Sequence, residues 1–116
     1  MANMQPLLKA IALNNKLEES REFASLVQTS LVRKLRVQDK TIRDLGVKQA
    51  PFVVLIGANI PSVLAEISFL SNKTDSVLLK QSGYRQKIAQ ALCDAIVKYQ
   101  GSLKKNAVVA SRHPEK

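Results

Sequence analysis

The sequence predicts an α/β fold: a partial mixed sheet, of which two strands are seen, flanked by two main helices, as a fragment of a larger α/β domain. Apolar residues recur at spacings of three and four near both ends of the chain, which predicts the helices. Two short apolar runs in the middle predict the strands. A sheet of two strands has unprotected edges and usually needs more strands, so we expect these 116 residues to form part of a larger core.

The first predicted helix covers residues 15–35. Its charged and hydroxyl residues fall opposite an apolar face made of Leu17, Phe23, Ala24, Val27, Leu31 and Leu35. Asn14 or Asn15 is suited to cap the start, while Arg33 and Lys34 suit the negative end of the helix dipole. The helix is therefore expected to end near Arg36, and the mixed residues 37–49 to form a loop.

Two buried strands are predicted over residues 52–56 and 63–70. The first run is β-branched, too short for a typical helix, and bounded by Pro51 and Gly57. Only a short turn separates the two runs, which cannot house a parallel crossover, so neighbouring strands here would pair antiparallel. Their continuous apolar character predicts a sheet covered on both faces.

The last third of the chain predicts a short helix over residues 75–81, with Thr74 as its cap, and then a long final helix. The strongest periodic signal in the chain is the apolar face of that final helix, made of Tyr84, Ile88, Leu92, Ala95, Ile96 and Tyr99. Gly101 is placed to end it. Residues 102–116 are basic and aperiodic, which predicts a mobile tail.

The charge and composition of the chain limit the classes of molecule that it is expected to bind. Eighteen Lys and Arg residues against nine acids give a net charge of +9, which favours an anionic surface such as a wall polymer, acidic lipid or nucleic acid. Three Phe, two Tyr and no Trp leave no row of stacking residues, which argues against nucleic acid.

Residues 1–10 lack a secretory signal pattern, and no apolar segment is long enough to predict a membrane span. Cys93, the one cysteine, predicts only a buried or half-buried thiol.

Glu66 is the strongest candidate for chemistry. It carries the one formal charge in residues 49–72. In a strand its side chain would share a side with Leu64 and Ser68, opposite Val63 and Ala65. A carboxylate in apolar surroundings is costly unless a cation, a metal or hydrogen-bond donors compensate, and such placements concentrate at functional sites. The residue pattern leaves open a plain structural alternative, in which Glu66 pairs with a buried Arg or Lys or points out from a sheet edge.

A family resemblance gives this glutamate a context. Residues 46–55 read GVKQAPFVVL, residues 60–72 read IPSVLAEISFLSN, and the similarity continues through YRQKIA (84–89) and AIVKY (95–99). Together they resemble the C-terminal half of the catalytic domain of the zinc-dependent N-acetylmuramoyl-L-alanine amidases, over about residues 11–99. Ala65 and Ser68 depart mildly from the family pattern. The resemblance implies an amidase/hydrolase-like α/β domain.

The resemblance also implies a function and a site. The function is hydrolysis of the amide bond between N-acetylmuramic acid and L-alanine in peptidoglycan, in the periplasm or cell envelope, with an activator protein as a further partner of a full-length parent. Glu66 would face a catalytic zinc ion and act as general base and acid. Ser71 and Asn72 match the family's Ser-Asn, and we expect them to shape the turn after the strand or to contact substrate.

Part of the family's site is not found in the sequence. The resemblance implies zinc ligands, two histidines and a glutamate, upstream of the matching region. The one histidine, His113, lies in the predicted tail, where we expect it to be solvated. We therefore expect residues 1–101 to be the C-terminal portion of a truncated catalytic domain, with residues 1–14 a remnant of an upstream helical insert. Such a chain would be inactive alone, with zinc bound only in a full-length parent.

Two other interpretations remain open at this point. The chain is alternatively a non-catalytic basic module that binds an anionic wall polymer, nucleic acid or a protein partner through its basic loop and tail. It is alternatively a degenerate remnant without a stable fold. Neither alternative explains the position of Glu66.

Overall fold

A computed structural model describes residues 4–112 as four helices joined by irregular segments. In chain order the helices are α1 (Gln5–Leu35), α2 (Val53–Ile56), α3 (Lys73–Lys80) and α4 (Ser82–Arg112). The two long helices contain 31 residues each and make the largest contact in the fold. They form an elongated frame, and the overall extents are 61 × 33 × 19 Å.

Helices α1 and α4 run antiparallel. Near the end of α1, Lys34 forms an ion pair of 2.9 Å with Asp94. One turn earlier, the Ser30 hydroxyl donates a hydrogen bond of 2.6 Å to the carbonyl of Ala91. Earlier still in α1, Glu22 accepts a hydrogen bond of 2.8 Å from Ser102. The end of α1 thus contacts the first half of α4 around residues 91–94, whereas Glu22, earlier in α1, contacts Ser102, later in α4, which is the antiparallel arrangement.

The core lies where the second half of α1 meets the first half of α4. Its buried residues are Val27, Leu31, Leu35, Tyr84, Ala91, Ala95 and Tyr99. All three from α1 belong to the predicted apolar face of that helix. On α4 the predicted Tyr84, Ala95 and Tyr99 are buried, whereas Ile96 is exposed and Ala91 replaces it at the contact. Because alanine is small, Ala91 and Ala95 allow the two backbones to approach closely.

Burial perturbs the two tyrosines of this core. It is the main cause that raises the pKa of Tyr84, and the negative charges of Asp39 and Asp75 add to it. Burial likewise raises the pKa of Tyr99, with smaller contributions from Glu19 and Glu22. Burial therefore favours the neutral form of both phenols.

The predicted sheet is wrong: within residues 4–112 the structure contains no strand, and the fold is all-α. A strand requires a neighbour that completes its hydrogen-bond ladder. The run at residues 52–56 instead satisfies its own backbone as the helical turn α2, with Ile56 N–H donating to the Phe52 carbonyl at 3.2 Å. Residues 63–67 are irregular and extended, but they pair with no other segment of the described chain.

The helices are longer than predicted at both ends of the chain. Helix α1 begins at Gln5 rather than near Asn15, so residues 5–14 continue the same helix. Helix α4 passes through Gly101 and includes residues 102–112, where a mobile tail was predicted. A helical glycine costs about 1 kcal/mol, and the good helix formers after Gly101 outweigh it. Along residues 4–112, no helix is apolar over a length that would cross a membrane.

The loop between α1 and α2 is organised by Asp44. Its carboxylate accepts hydrogen bonds from the Gln28 side chain at 2.6 Å and from the Gly46 N–H at 2.9 Å. The Gln28 bond is the main cause that lowers the pKa of Asp44. Gly46 has φ of 80°, a left-handed conformation that glycine adopts without steric cost. This loop was predicted correctly. It runs back beside α1, since Asp44 contacts Gln28 and Gln49, later in the loop, contacts Arg21, earlier in the helix.

Candidate functional site

The segment that carries Glu66 lies against the helix pair as an extended layer. Residues 61–69 contain no helix or turn. Val63, Ala65 and Ile67 pack against the core, whereas Leu64, Glu66 and Ser68 are exposed. The two-residue alternation predicted for this segment is therefore present, although the sheet is not. Its apolar side faces α1 and α4, and Glu66 lies on the outer side.

Glu66 is consequently open to solvent. Within residues 4–112 its carboxylate makes no hydrogen bond and no ion pair. The expected loss of hydration does not occur in this structure, since the apolar residues on either side of Glu66 in sequence point inward. The plain structural alternative had two forms. A buried Arg or Lys partner is not found in the described residues. The outward direction of Glu66 agrees with the other form, although the described residues contain no sheet edge from which it would point. The outer side of the segment leaves Glu66 accessible to water and to a ligand.

A sharp change of direction follows Glu66. Ser68 has φ of 71°, a left-handed conformation that is unfavourable for a residue with a Cβ atom. The next residue, Phe69, is 64% exposed and does not belong to the core. Its N–H donates a hydrogen bond of 3.1 Å to the Asp75 carboxylate. Sequence reasoning missed Asp75 in this role, because only the folded turn places it below Phe69.

Asn72 begins the next helix. Its side-chain oxygen accepts a hydrogen bond of 3.0 Å from the Asp75 N–H, so Asn72, rather than the predicted Thr74, is the cap of α3. Its own N–H donates to the Phe69 carbonyl at 3.0 Å. Ser71 is exposed within the same turn. The structure thus places Ser71 and Asn72 at the turn after Glu66, without a hydrogen bond from either residue to Glu66 among the described residues.

The described residues do not fit a zinc site. Among residues 4–112 there is no group of three or more His, Cys, Asp or Glu side chains that could hold a metal ion. A catalytic zinc ion normally takes three protein ligands of these types. Cys93 is exposed rather than buried, and His113 lies outside the described residues. No chemical step is therefore assigned to a metal in this chain.

A second surface feature lies between α1 and α4. It is a groove of about 530 Å³. It is lined by Leu26, Thr29, Ser30, Arg33, Lys34, Val37, Asp94, Val97 and Lys98. Lys34 is paired with Asp94, so Arg33 and Lys98 give the groove its net positive charge. The basic residues Lys104, Lys105 and Arg112 follow on the same helix as Lys98.

Comparison with known proteins shows which family this chain resembles. The model of the N-acetylmuramoyl-L-alanine amidase family matches residues 9–98. The uncharacterized protein YqiI of Bacillus subtilis is 39% identical over 82 residues, which are 71% of this chain and 37% of that protein. The amidase LytC of Bacillus subtilis is 39% identical over 80 residues, 69% of this chain and 15% of LytC.

The amidase AmiA of Salmonella typhimurium is 48% identical over 52 residues, 45% of this chain and 18% of AmiA. This chain thus spans well under half the length of the curated relatives it matches. No solved structure matches it. The family match nevertheless covers most of the chain, including Glu66, Ser71 and Asn72, and confirms the resemblance seen in the sequence. The chain belongs to the N-acetylmuramoyl-L-alanine amidase family.

Proposed function

We propose that this chain is the glutamate-bearing part of a peptidoglycan hydrolase that cleaves the amide bond between N-acetylmuramic acid and L-alanine of the stem peptide. The family match over residues 9–98 is the observation that carries this proposal. Three of the relatives are described as cell wall amidases, which supports peptidoglycan as substrate and the cell envelope or periplasm as location. An activator protein is a further partner that we infer from the family alone.

Glu66 is the proposed catalytic residue. Water attacks the lactyl carbonyl carbon, and Glu66 accepts the proton that the water loses. When the carbon–nitrogen bond breaks, Glu66 returns that proton to the departing amine of L-alanine. Its exposure on the outer side of the extended segment supports the role, because the carboxylate is free to reach both water and substrate. Ser71 and Asn72 are proposed to shape the adjoining turn, which the Asn72 cap supports.

We further propose that the chain alone is inactive. Amidases of this family generally depend on zinc, and the described residues contain no group of three ligands. The ligands would therefore come from a part of the catalytic unit other than residues 4–112. A digestion of purified muropeptides by the 116-residue chain in zinc-containing buffer should release no stem peptide. Robust release would contradict this claim.

A chimeric enzyme tests the proposed function directly. Residues 9–98 of this chain replace the matching segment of the Bacillus subtilis relative LytC, with which the chain shares 39% identity. We expect the chimera to release stem peptides from muropeptides, because the grafted segment keeps the glutamate and its turn. The matched control is LytC with that segment deleted. A folded chimera no more active than the deletion would refute the proposal.

A second candidate function is supported by charge. The net charge of +9, and the positive groove with Arg33 and Lys98, favour a non-catalytic role in binding an anionic wall polymer. Its test is a titration of wall-polymer binding against salt. A steep linear fall of the logarithm of the affinity with the logarithm of salt concentration, without any activity of the chimera, would favour this function over the first.

A further inference from the structure

One end of the long helix pair projects beyond the core. The last contacts between the helices on this side are the stacked rings of Phe23 and Tyr99 and the hydrogen bond from Ser102 to Glu22. Because the helices run antiparallel, residues 5–17 of α1 and 103–112 of α4 both continue past these contacts in the same direction. We call these two stretches the distal end. All of their residues are exposed except the half-buried Lys16.

The distal end is basic throughout. It contains no Asp or Glu, and its cations are Lys9, Lys16, Lys104, Lys105 and Arg112. Lys16 donates a hydrogen bond of 3.0 Å to the Leu55 carbonyl, whereas the other four make no hydrogen bond or ion pair with the described residues. The next carboxylates in α1, those of Glu18, Glu19 and Glu22, lie towards the core. They form the border of the basic region.

Exposed apolar side chains occur at the same end. Leu8 is 59% and Ile11 50% exposed on α1, and Val108 is 49% exposed on α4. The other exposed apolar residues there are Leu7, Leu13, Leu17, Leu103 and Val109. A group of exposed apolar side chains marks a surface that another molecule covers.

On α1, part of this apolar group lies on the side of the groove between the two long helices. The groove is lined by Leu26 and Thr29, among other residues. Leu8 and Ile11 precede these two residues by 18 positions, which are about five full turns of an α-helix. Leu8 and Ile11 therefore lie in line with the groove.

On α4, the cations lie on the same side. Val97 and Lys98 line the groove. Lys104 and Lys105 follow them by seven positions, about two turns, and Val108 follows Val97 by 11 positions, about three turns. The groove side of the distal end thus combines unpaired cations with exposed apolar side chains.

This combination fits the surface of an anionic lipid bilayer. Anionic headgroups attract Lys and Arg, while apolar side chains enter the boundary between the headgroups and the acyl chains. A hydrophilic wall polymer would neutralise the cations but leave Leu8, Ile11 and Val108 in water. Nucleic acid would find no aromatic residue in the distal end on which to stack a base.

A second copy of this chain is a poorer occupant. Two distal ends that faced each other would bring their cations together with no carboxylate between them. Each copy would also bring its net charge of +9. A bilayer with anionic headgroups covers the apolar side chains without this repulsion.

We propose that the distal end binds the surface of a bilayer that contains anionic phospholipid. Its cations meet the headgroups, and the apolar side chains on the same side enter the boundary below them. This role goes beyond the proposed amidase function, because the family match ends at residue 98 and does not include residues 103–112. An inactive chimera would therefore leave it untouched.

Co-sedimentation of the full 116-residue chain with lipid vesicles tests the proposal. The probe is a vesicle of phosphatidylglycerol and phosphatidylcholine in equal parts, and the comparison is a vesicle of phosphatidylcholine alone. We expect binding to the first to be at least about tenfold tighter and to weaken with added salt. Equal affinity for the two vesicles, or binding to neither, would overturn the proposal.

A charge variant tests whether the distal end is the part that binds. The double variant Lys104→Gln, Lys105→Gln should bind the anionic vesicle about tenfold more weakly or worse. The matched control is Lys73→Gln, Lys80→Gln, which removes the same charge from exposed positions on α3, next to the other end of α4. The control should change the affinity by less than about threefold, because attraction to a charged surface decays within a Debye length. Equal weakening by the two would show attraction by net charge alone and contradict the proposal.

An apolar variant separates lipid from a wall polymer. Leu8→Gln, Ile11→Gln keeps the charge and removes apolar area, so binding to the anionic vesicle should weaken at least about tenfold. The control is Leu70→Gln, Val77→Gln, which changes two exposed apolar residues at the α3 end and should have little effect. Helical circular dichroism of both must match the parent. Unchanged vesicle binding by Leu8→Gln, Ile11→Gln, or tighter binding of the parent to purified anionic wall polymer than to the vesicle, would overturn the choice of lipid.

A fluorescent label locates the contact. Cys93 is exposed and is the one cysteine of the sequence, so Cys93→Ser provides a background for labelling. An environment-sensitive dye at Val108→Cys should shift its emission to the blue on anionic vesicles, whereas the dye at Val77→Cys on α3 should not. A shift at both positions or at neither would contradict binding through the distal end. A free chain that sediments as a dimer, and loses the dimer in Leu8→Gln, Ile11→Gln, would assign the surface to a second copy instead.

Discussion

The aromatic ring of Tyr99 stacks on that of Phe23, with ring centroids 4.9 Å apart and planes inclined by 25°. This pair joins α4 to α1 at the edge of the core. The Tyr99 hydroxyl is buried and finds no hydrogen-bond partner among the described residues. An unpaired buried hydroxyl destabilises the folded state by about 1–3 kcal/mol.

Replacing that hydroxyl should therefore stabilise the protein. Tyr99→Phe keeps the stacked ring and removes the unpaired group, so we expect the free energy of unfolding to rise by about 1 kcal/mol in urea titrations. The comparison variant is Phe23→Leu, which loses the ring pair and should lower the free energy by about 1 kcal/mol. A destabilising Tyr99→Phe would show that the hydroxyl has a partner in solution.

The two buried tyrosines predict that the free energy of unfolding falls at alkaline pH. The pKa values of Tyr84 and Tyr99 are raised in the folded protein, whereas unfolded tyrosine titrates near pH 10. Their contribution to stability is thus fully present below about pH 10 and is lost as the pH rises through the folded-state values. Urea titrations from pH 8 to pH 11.5 should show this decline, and Tyr99→Phe should reduce it. An identical decline in the variant would rule out Tyr99 as a cause.

The close approach of α1 and α4 predicts intolerance to larger residues at the contact. Ala95 is fully buried between the helices. Ala95→Leu should lower the free energy of unfolding by about 1–3 kcal/mol through overpacking. Ala89 lies on the exposed side of the same helix, so Ala89→Leu is the matched control and should change stability by less than about 0.5 kcal/mol. Equal effects in thermal unfolding would contradict the observed packing.

The cap of α3 predicts different roles for Ser71 and Asn72. Asn72→Ala removes the hydrogen bond to the Asp75 N–H and should cost about 1 kcal/mol of stability. Ser71→Ala should cost little, since Ser71 is exposed and makes no hydrogen bond within residues 4–112. Asn72→Asp retains an oxygen acceptor, so it should keep most of the stability that Asn72→Ala loses. Chemical unfolding of the three variants checks this order.

The sequence predicts the helices of this protein better than it predicts their ends. The end of α1 near Arg36 is correct, because Arg33 and Lys34 lie in its last turn and the charged loop follows. The start is missed, because residues 5–14 carry apolar residues such as Leu7 and Leu8 without a buried face. Gly101 is a helix-ending residue by propensity, yet the tertiary context and the residues after it keep α4 helical.

The strands were mispredicted for a different physical reason. Strand propensity expresses how a residue packs in a sheet, and the described chain offers the run at residues 52–56 no neighbouring strand. Residues 63–67 retain the alternation of a strand, which is why Val63 and Ile67 lie on the side opposite Glu66, as predicted. The position of Glu66 was therefore predictable. Its exposure was not, because exposure depends on what covers the outer side of the segment.

The most direct test of the account is the activity of the chimera with Glu66→Gln. The substitution keeps size and removes the basic carboxylate, so release of stem peptides should fall by about 10²–10⁴-fold. The matched control is Glu18→Gln, an exposed carboxylate on α1, which should leave the rate unchanged. Both chimeras should be folded and contain equal amounts of zinc. We predict loss of turnover in Glu66→Gln alone, and near-normal turnover in that variant would contradict the central claim that Glu66 carries the proton.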